Sequence, residues 1–220
     1  MDYSFTLRGI SPLLIHADDV ESQDYLKEWR GSEEGRKAPN GDDRFPAWAW
    51  QTYLYLSSKG EVAMPQGNIM VAVRGGATQI VLKKQKTFKE LAVRAIVIDQ
   101  EHCELRSLVG GKEQGITVEQ LSAIKGLTFA EQKAKAQTMG FKLDVRRAAV
   151  GSSKHVRVRP RFDSWLVRGT LRTTDSAITE EILAKIFALA GTQGLGDWRP
   201  SAPKRPGPYG MFTAEIKRLK

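Results

Sequence analysis

In Tyr3-Ser-Phe-Thr-Leu-Arg-Gly9 apolar side chains fall at every second position, the period of a strand with one buried face. The apolar run continues from Ile10 to Ile15 and is interrupted by Ser11 and Pro12, which predicts a bend at the strand's end. From His16 to Arg44 the pattern dissolves into polar, Gly-, Asp- and Glu-rich sequence, a long excursion with one short helix around Tyr25 to Trp29. Residues 52–57 and 61–64 flank Ser58-Lys59-Gly60 and predict a hairpin. Pro65 suits the first turn of a helix, and Ile69, Met70, Val73 and Ala77 follow on one side, so a helix is predicted over 65–79.

Beyond Lys83 the chain turns basic and then gives an apolar strand at Val93 to Ile98. Residues 100–142 show little periodicity apart from a polar Ala/Lys/Gln helix near 129–138, and read as an insertion. Further on, Val156 and Val158 alternate with Arg157, Arg159 and Arg161; then Trp165, Val167, Gly169 and Leu171 alternate with Leu166, Arg168, Thr170 and Arg172. Two adjacent strands are predicted. Ser176 or Thr179 caps a helix that runs to about Ala190 and ends at Gly191, and Tyr209 to Ile216 forms the last strand.

Setting aside residues 16–62 and 80–150 as two insertions leaves core segments at about 3–15, 65–79, 154–190 and 209–217. Their order is strand, helix, strand, strand, helix, strand. It predicts a single α+β domain over residues 1–220 with the ferredoxin-like (RRM-like) plan: two helices on one face of an antiparallel sheet, the other face open. Single-stranded RNA binds that open face in many such folds.

Composition narrows the function. The 220 residues can bury a core unaided, and the lone Cys103 excludes an internal disulfide or a multi-cysteine metal cluster and fits a reducing compartment. No apolar run approaches the roughly 20 residues that span a bilayer, and no basic stretch leads an apolar one at the N-terminus, so a cytoplasmic protein without membrane contact is expected. Lys and Arg total 34 against 25 Asp and Glu, a formal charge of +9, yet residues 16–43 hold nine acids against four bases. The basic excess is therefore concentrated elsewhere, as in a protein that attracts polyanions by counterion release. Residues 146–172 carry eight basic side chains against Asp163 alone, and the period of two sets Arg157, Arg159 and Arg161 on one strand face, a row fit to follow phosphates. Lys83, Lys84, Lys86 and Lys89 form a second basic group.

The most distinctive segment is Gly191-Thr-Gln-Gly-Leu-Gly-Asp-Trp-Arg-Pro200, followed by Gly207-Pro-Tyr-Gly-Met-Phe212. Gly191, Gly194, Gly196, Gly207 and Gly210 would let backbone N–H groups approach an anion, with Arg199, Lys204 and Arg205 adding charge; a rigid turn is the alternative reading. No Gly-Lys-Ser/Thr follows, and the segment comes after a helix, which excludes a Walker or dinucleotide loop. This segment resembles the glycine-rich loop of the repeat-associated mysterious protein (RAMP) superfamily, which includes the backbone subunits of CRISPR effector complexes. Met64-Pro-Gln-Gly-Asn-Ile-Met-Val-Ala-Val-Arg74 is similar to that superfamily's proline-led first helix, and the Ser-Pro-Leu-Leu-Ile ending of the opening strand fits too. The Gly-Asp-Trp-Arg-Pro signature is also similar to phage-borne proteins.

The resemblance covers roughly half the chain and leaves both insertions unmatched. It implies a palm-like domain that grips an RNA backbone, stacks beside copies of itself and assembles with other CRISPR-type subunits. The expected contacts are Arg157, Arg159, Arg161, Arg168, Arg199, Lys204, Arg205 and Arg74, with Trp198 stacking on a base. Trp48, Trp50, Tyr53 and Tyr55 also cluster, as core or as stacking groups. Some RAMP proteins cleave RNA with histidine. His16, beside Asp18 and Asp19, is the one candidate here, while His102 and His155 belong to no metal-binding pattern and no cofactor or metal is expected. Non-catalytic binding of a single strand is thus the first expectation, with RNA ahead of DNA although phosphate contacts do not read the sugar. A metal-independent endoribonuclease, or a phage or mobile-element interaction protein that mimics such a subunit, are the alternatives.

Overall fold

The computed structural model describes residues 1–18, 20–83, 86–150 and 153–219. In chain order the elements open with β1 (Asp2–Gly9), β2 (Leu13–Leu14), α1 (Val20–Gly31), α2 (Glu33–Lys37), a 3-10 turn over Ala49–Tyr53, β3 (Ala63–Pro65) and α3 (Gln66–Thr78). Next come β4 (Val81–Lys83), β5 (Lys86–Thr87), α4 (Lys89–Ala95), β6 (Ile96–Ile98), β7 (His102–Val109), β8 (Lys112–Gln114), α5 (Val118–Ile124) and α6 (Phe129–Thr138). The chain closes with β9 (Lys142–Val150), β10 (Ser153–Phe162), β11 (Trp165–Thr173), α7 (Glu180–Gln193) and β12 (Phe212–Arg218).

The fold is α+β with antiparallel sheets. The main sheet runs β12-β1-β11-β7-β3, with β6 continuing beside β11 and β8 beside β7. Alternation in β1 turns Tyr3, Phe5 and Leu7 inward onto α3 and α7, where Phe5 meets Phe187 at a ring separation of 5.8 Å. A side chain at Gly76 of α3 would strike the Ile186 carbonyl, so the two helices cross closely only because that position has no Cβ. Thr179 caps α7 by accepting from the Ile182 amide.

Four expectations need correcting. The arginine strand β10 does not pair with β11; it lies in a second sheet, β2-β10-β9, and β11 takes β7 instead. Part of the segment read as an insertion therefore supplies a strand of the main sheet. Alternation reports which side chains share a face but not which strand is the neighbour, and β7 turns in Cys103, Leu105 and Ser107, two of them weakly apolar. Val93 to Ile98 is not one strand, since α4 reaches Ala95 and leaves β6 only three residues. The first arm of the expected hairpin opens in a 3-10 turn that ends at Tyr53, so only Tyr55 to Ser57 pair back, through the Leu56–Val62 bridge and backbone bonds from Ser57 to Glu61 at 2.8 Å and from Ala63 to Tyr55 at 2.9 Å. Finally, Gly191 does not end α7: it lies inside the helix, where the Phe212 carbonyl of β12 leaves no space for a Cβ, and Gly194 at φ 74° caps the end.

Candidate nucleic-acid interface

The open face of the main sheet carries charge pairs in place of rings. All the aromatic residues in its strands, Tyr3, Phe5, Trp165 and Phe212, are buried. Across the open side Arg168 pairs with Glu113 at 2.5 Å, Arg172 with Asp99 at 3.4 Å and Lys217 with Glu215 at 2.8 Å. Apart from His102 of β7, half-exposed in a cleft of about 540 Å3 that Arg168 and Thr170 also line, the strands offer a base no exposed ring on that side among the described residues.

The arginine row of β10 does share one face, as period-two spacing requires, but its charges are matched. Arg157 donates to Asp43 at 3.0 Å. Asp43, 1 % exposed, also accepts from the Tyr53 hydroxyl at 3.1 Å and the Val158 amide at 3.3 Å. Arg159 Nε lies 2.6 Å from Asp197 Oδ2, out of line for a hydrogen bond. Arg161 donates to Asp163 at 2.7 Å and lies 3.7 Å from Asp144, which Arg146 of β9 also holds. The row expected to follow phosphates is thus engaged with the protein's own carboxylates. Arg168, on the other sheet, is engaged as well.

What the row holds is the glycine-rich segment, which comes after α7. The Leu195 amide donates to Gly210, the Asp197 amide to Leu14, the Gly207 amide to Arg199 and the Gly210 amide to Pro12, at 2.7–3.1 Å. Gly194, Gly196 and Gly210 all have φ above 70°, and a Cβ on Gly196 or Gly210 would collide with the carbonyl of Leu14 or Leu195. These glycines serve close backbone packing, and the amides named either close the turn on itself, as at Leu195 and Gly207, or dock it on Pro12 and Leu14, as at Gly210 and Asp197, so all four are already used. Trp198, at φ 51°, donates its indole N–H to Pro206 at 3.2 Å. Its ring meets the Arg146 guanidinium at 5.0 Å and Tyr209 at 5.6 Å, so it anchors the turn.

Four expected contacts stand apart from this pairing. Arg199 donates only to neutral oxygens, Ser201 Oγ at 3.0 Å and the Gly196 carbonyl at 2.9 Å. Lys204 and Arg205 are exposed in the same segment and Arg74 is exposed on α3, all three without an ion pair among the described residues. Arg199 borders a small cleft of about 170 Å3 with His16, Tyr55, Asn68, Val71, Gly196 and Asp197. That is below the roughly 300–1,000 Å3 of pockets for larger ligands and suits a single phosphate or ribose. Val71 lines the cleft one helical turn before Arg74, which places that cation on the adjoining surface.

His16 sits edge-on to Tyr53 at 4.5 Å. Withdrawal from water, then the charges of Arg159 and Arg157, hold its pKa below the usual 6.5 against the opposing pull of Asp197 and Asp43. The imidazole is neutral at pH 7 and able to accept a proton. Nothing in the sequence signalled Asn68 or Tyr55 as its neighbours, since α3 and the stretch that follows the 3-10 turn bring them there from distant positions. Of the two acids expected beside His16, Asp18 is exposed and does not line the cleft, and Asp19 lies outside the described residues, as does Lys84 of the second basic group. Trp50 and Tyr53 are core, and Cys103 is buried with its thiol pushed up to about 12 by desolvation. No helix among the described residues is long and apolar enough to cross a membrane. A scan against protein-family models matches no family, and a search of curated proteins finds no match.

Proposed function

We propose that this chain binds single-stranded nucleic acid, RNA ahead of DNA, through the cations around the His16 cleft. The contacts are Arg199, Lys204, Arg205 and Arg74, in place of the arginine row. The observation that carries this reading is Arg199, a guanidinium at a phosphate-sized cleft with neutral partners only among the described residues, beside the row Arg157, Arg159 and Arg161, which acids match. The strand sequence β12-β1-β11-β7 supports a ferredoxin-like core of RAMP type: numbered along the chain as four core strands it reads four, one, three, two, with α3 and α7 as the crossovers. Side-by-side assembly with copies of itself or with CRISPR-type subunits belongs to the same proposal.

The test is fluorescence anisotropy of a labelled oligouridine at about 100 mM salt, repeated across a salt series. Replacing Arg199, Lys204 and Arg205 together by alanine is expected to weaken binding at least about tenfold and to flatten the log–log salt slope by about 2, three single-strand phosphate contacts being removed. Unchanged affinity in that variant, or no binding by the parent protein, sinks the reading. An oligodeoxyuridine arm separates RNA from DNA.

The neutral His16 imidazole in a cleft with Arg199 favours a second reading, metal-independent RNA cleavage: His16 takes the proton from a ribose 2′-hydroxyl, the 2′-oxygen bonds to the phosphorus of the phosphate facing Arg199, and the bond to the 5′-oxygen breaks, that oxygen leaving with a proton from water. Labelled RNA incubated with chelator should then be cut, with an acid limb below pH 6.5 in the rate profile and loss of cutting in His16→Ala. Intact RNA after incubation with the parent protein retires this reading and leaves the binding proposal standing.

A further inference from the structure

On another part of the surface, two clefts meet across an aromatic bridge that the nucleic-acid reading does not use. The Lys125 ammonium stands 4.5 Å from the Tyr25 ring centroid and 4.8 Å from that of Trp48, and the two rings lie 4.9 Å apart. On one side of this bridge is a cleft of about 970 Å3 walled by Trp29, Phe45, Pro46, Leu127 and Phe129. On the other is a cleft of about 410 Å3 reaching Leu56. Tyr25 is 48 %, Phe45 42 % and Leu56 40 % exposed, so large apolar side chains stay in water along the whole line.

An acidic side chain stands in each of the two clefts. Glu34 lines the larger cleft and Glu21 the smaller. Neither forms an ion pair among the described residues, and Glu28 lies on α1 one turn from Tyr25 toward the larger cleft. The cations at the groove are occupied. Arg44 is held by both oxygens of Asp42, from 2.6 to 3.1 Å, and Lys125 rests on the two rings. The Lys125 contact also shows that these rings accept an ammonium on their faces. A cationic side chain entering at either end would meet an acid that has no ion pair among the described residues, Glu34 in the larger cleft and Glu21 in the smaller.

We propose that this groove is a docking surface for an extended, lysine- or arginine-bearing segment of a partner protein. Proline or aliphatic anchors of that segment would lie between Trp29, Phe45 and Phe129, and its cations beside Glu34 and Glu21. Two clefts that share Tyr25, Trp48 and Lys125 suit a segment long enough to enter both, and rings exposed in a groove suit the preformed polyproline conformation, which loses little entropy on binding.

The experiment uses the whole chain and two labelled synthetic peptides, a repeat of Arg-Pro-Leu-Pro and the same repeat with Glu for Arg, read by anisotropy and by tryptophan fluorescence. The basic peptide is expected to bind at least tenfold more tightly than the acidic one. Tyr25→Ala and the double variant Glu21→Lys, Glu34→Lys, all at exposed positions, are each expected to weaken it at least fivefold while leaving oligouridine affinity unchanged. Equal binding of the two peptides, or affinity for the basic peptide untouched by both variants, overturns the proposal. So does oligouridine binding that is lost in Tyr25→Ala, which would assign the groove to nucleobases. Concentration-dependent mass of the peptide-free chain in light scattering, abolished by Tyr25→Ala, would assign it to a second copy and overturn it too.

Discussion

Replacing Asp43 with alanine is expected to lower the unfolding free energy by about 3–5 kcal/mol, because it removes one half of a buried ion pair and strands the other. Asp43 collects three donors from two elements: Arg157 and Val158 of β10, and Tyr53 at the end of the 3-10 turn, all donate to it. Without the carboxylate the Tyr53 hydroxyl and the Val158 amide keep no acceptor in the interior. Urea unfolding should show a lower midpoint with an unchanged slope. The control is Glu113→Ala, which removes the partner of Arg168 at a half-exposed site and should shift stability by no more than about 1 kcal/mol. If the two variants behave alike, the interior carboxylate is not what fixes the small sheet to the rest of the chain.

Gln132→Ala is expected to cost about 3 kcal/mol. The side chain is fully buried in α6, where its carbonyl accepts from the Trp50 indole at 2.7 Å and its amide donates to the carbonyls of Lys125 and Leu127 at 3.1 and 2.9 Å. Truncation leaves the buried Trp50 N–H without an acceptor, worth about 1–3 kcal/mol, and takes the donor from two part-buried carbonyls, which adds the rest. The exposed Gln137 of the same helix provides the comparison, and Gln137→Ala should stay within about 0.5 kcal/mol. Thermal unfolding followed by tryptophan emission measures both, and equal melting temperatures would remove Gln132 from the account. Because Gln132 fixes the turn that carries Lys125, the variant should also loosen the aromatic bridge.

The elements legible in the sequence were those with local signals. Pro65 and the apolar face through Ala77 gave α3, Thr179 and its stripe gave α7, the polar helix at 129–138 appears as α6, and alternation gave β1 and β11. Strand partnership was not legible, because β10 and β7 offer β11 similar faces and only the packing of whole sheets decides between them. The candidate site failed to read for a related reason. A window over 146–172 contains one acid, so it looks like bare positive charge, yet Arg157 finds its carboxylate 114 residues away and Arg159 finds one in the glycine-rich segment. Charge matching at that range leaves no trace in local composition. Arg199 was legible as a cation but not as an unpaired one, and the cleft it borders is assembled from four separate stretches of chain.

The position of β7 bears on how the protein can be cut. A reader of the sequence alone would trim residues 80–150 to obtain a minimal domain, but that deletion would take out the strand lying between β11 and β3. The bared flank of β11 would be left with its hydrogen-bonding groups facing solvent, ready to recruit any passing extended chain. A shortened version made on that plan should precipitate rather than reveal a smaller working unit, and dissection of activities is better attempted by point changes within the full-length chain.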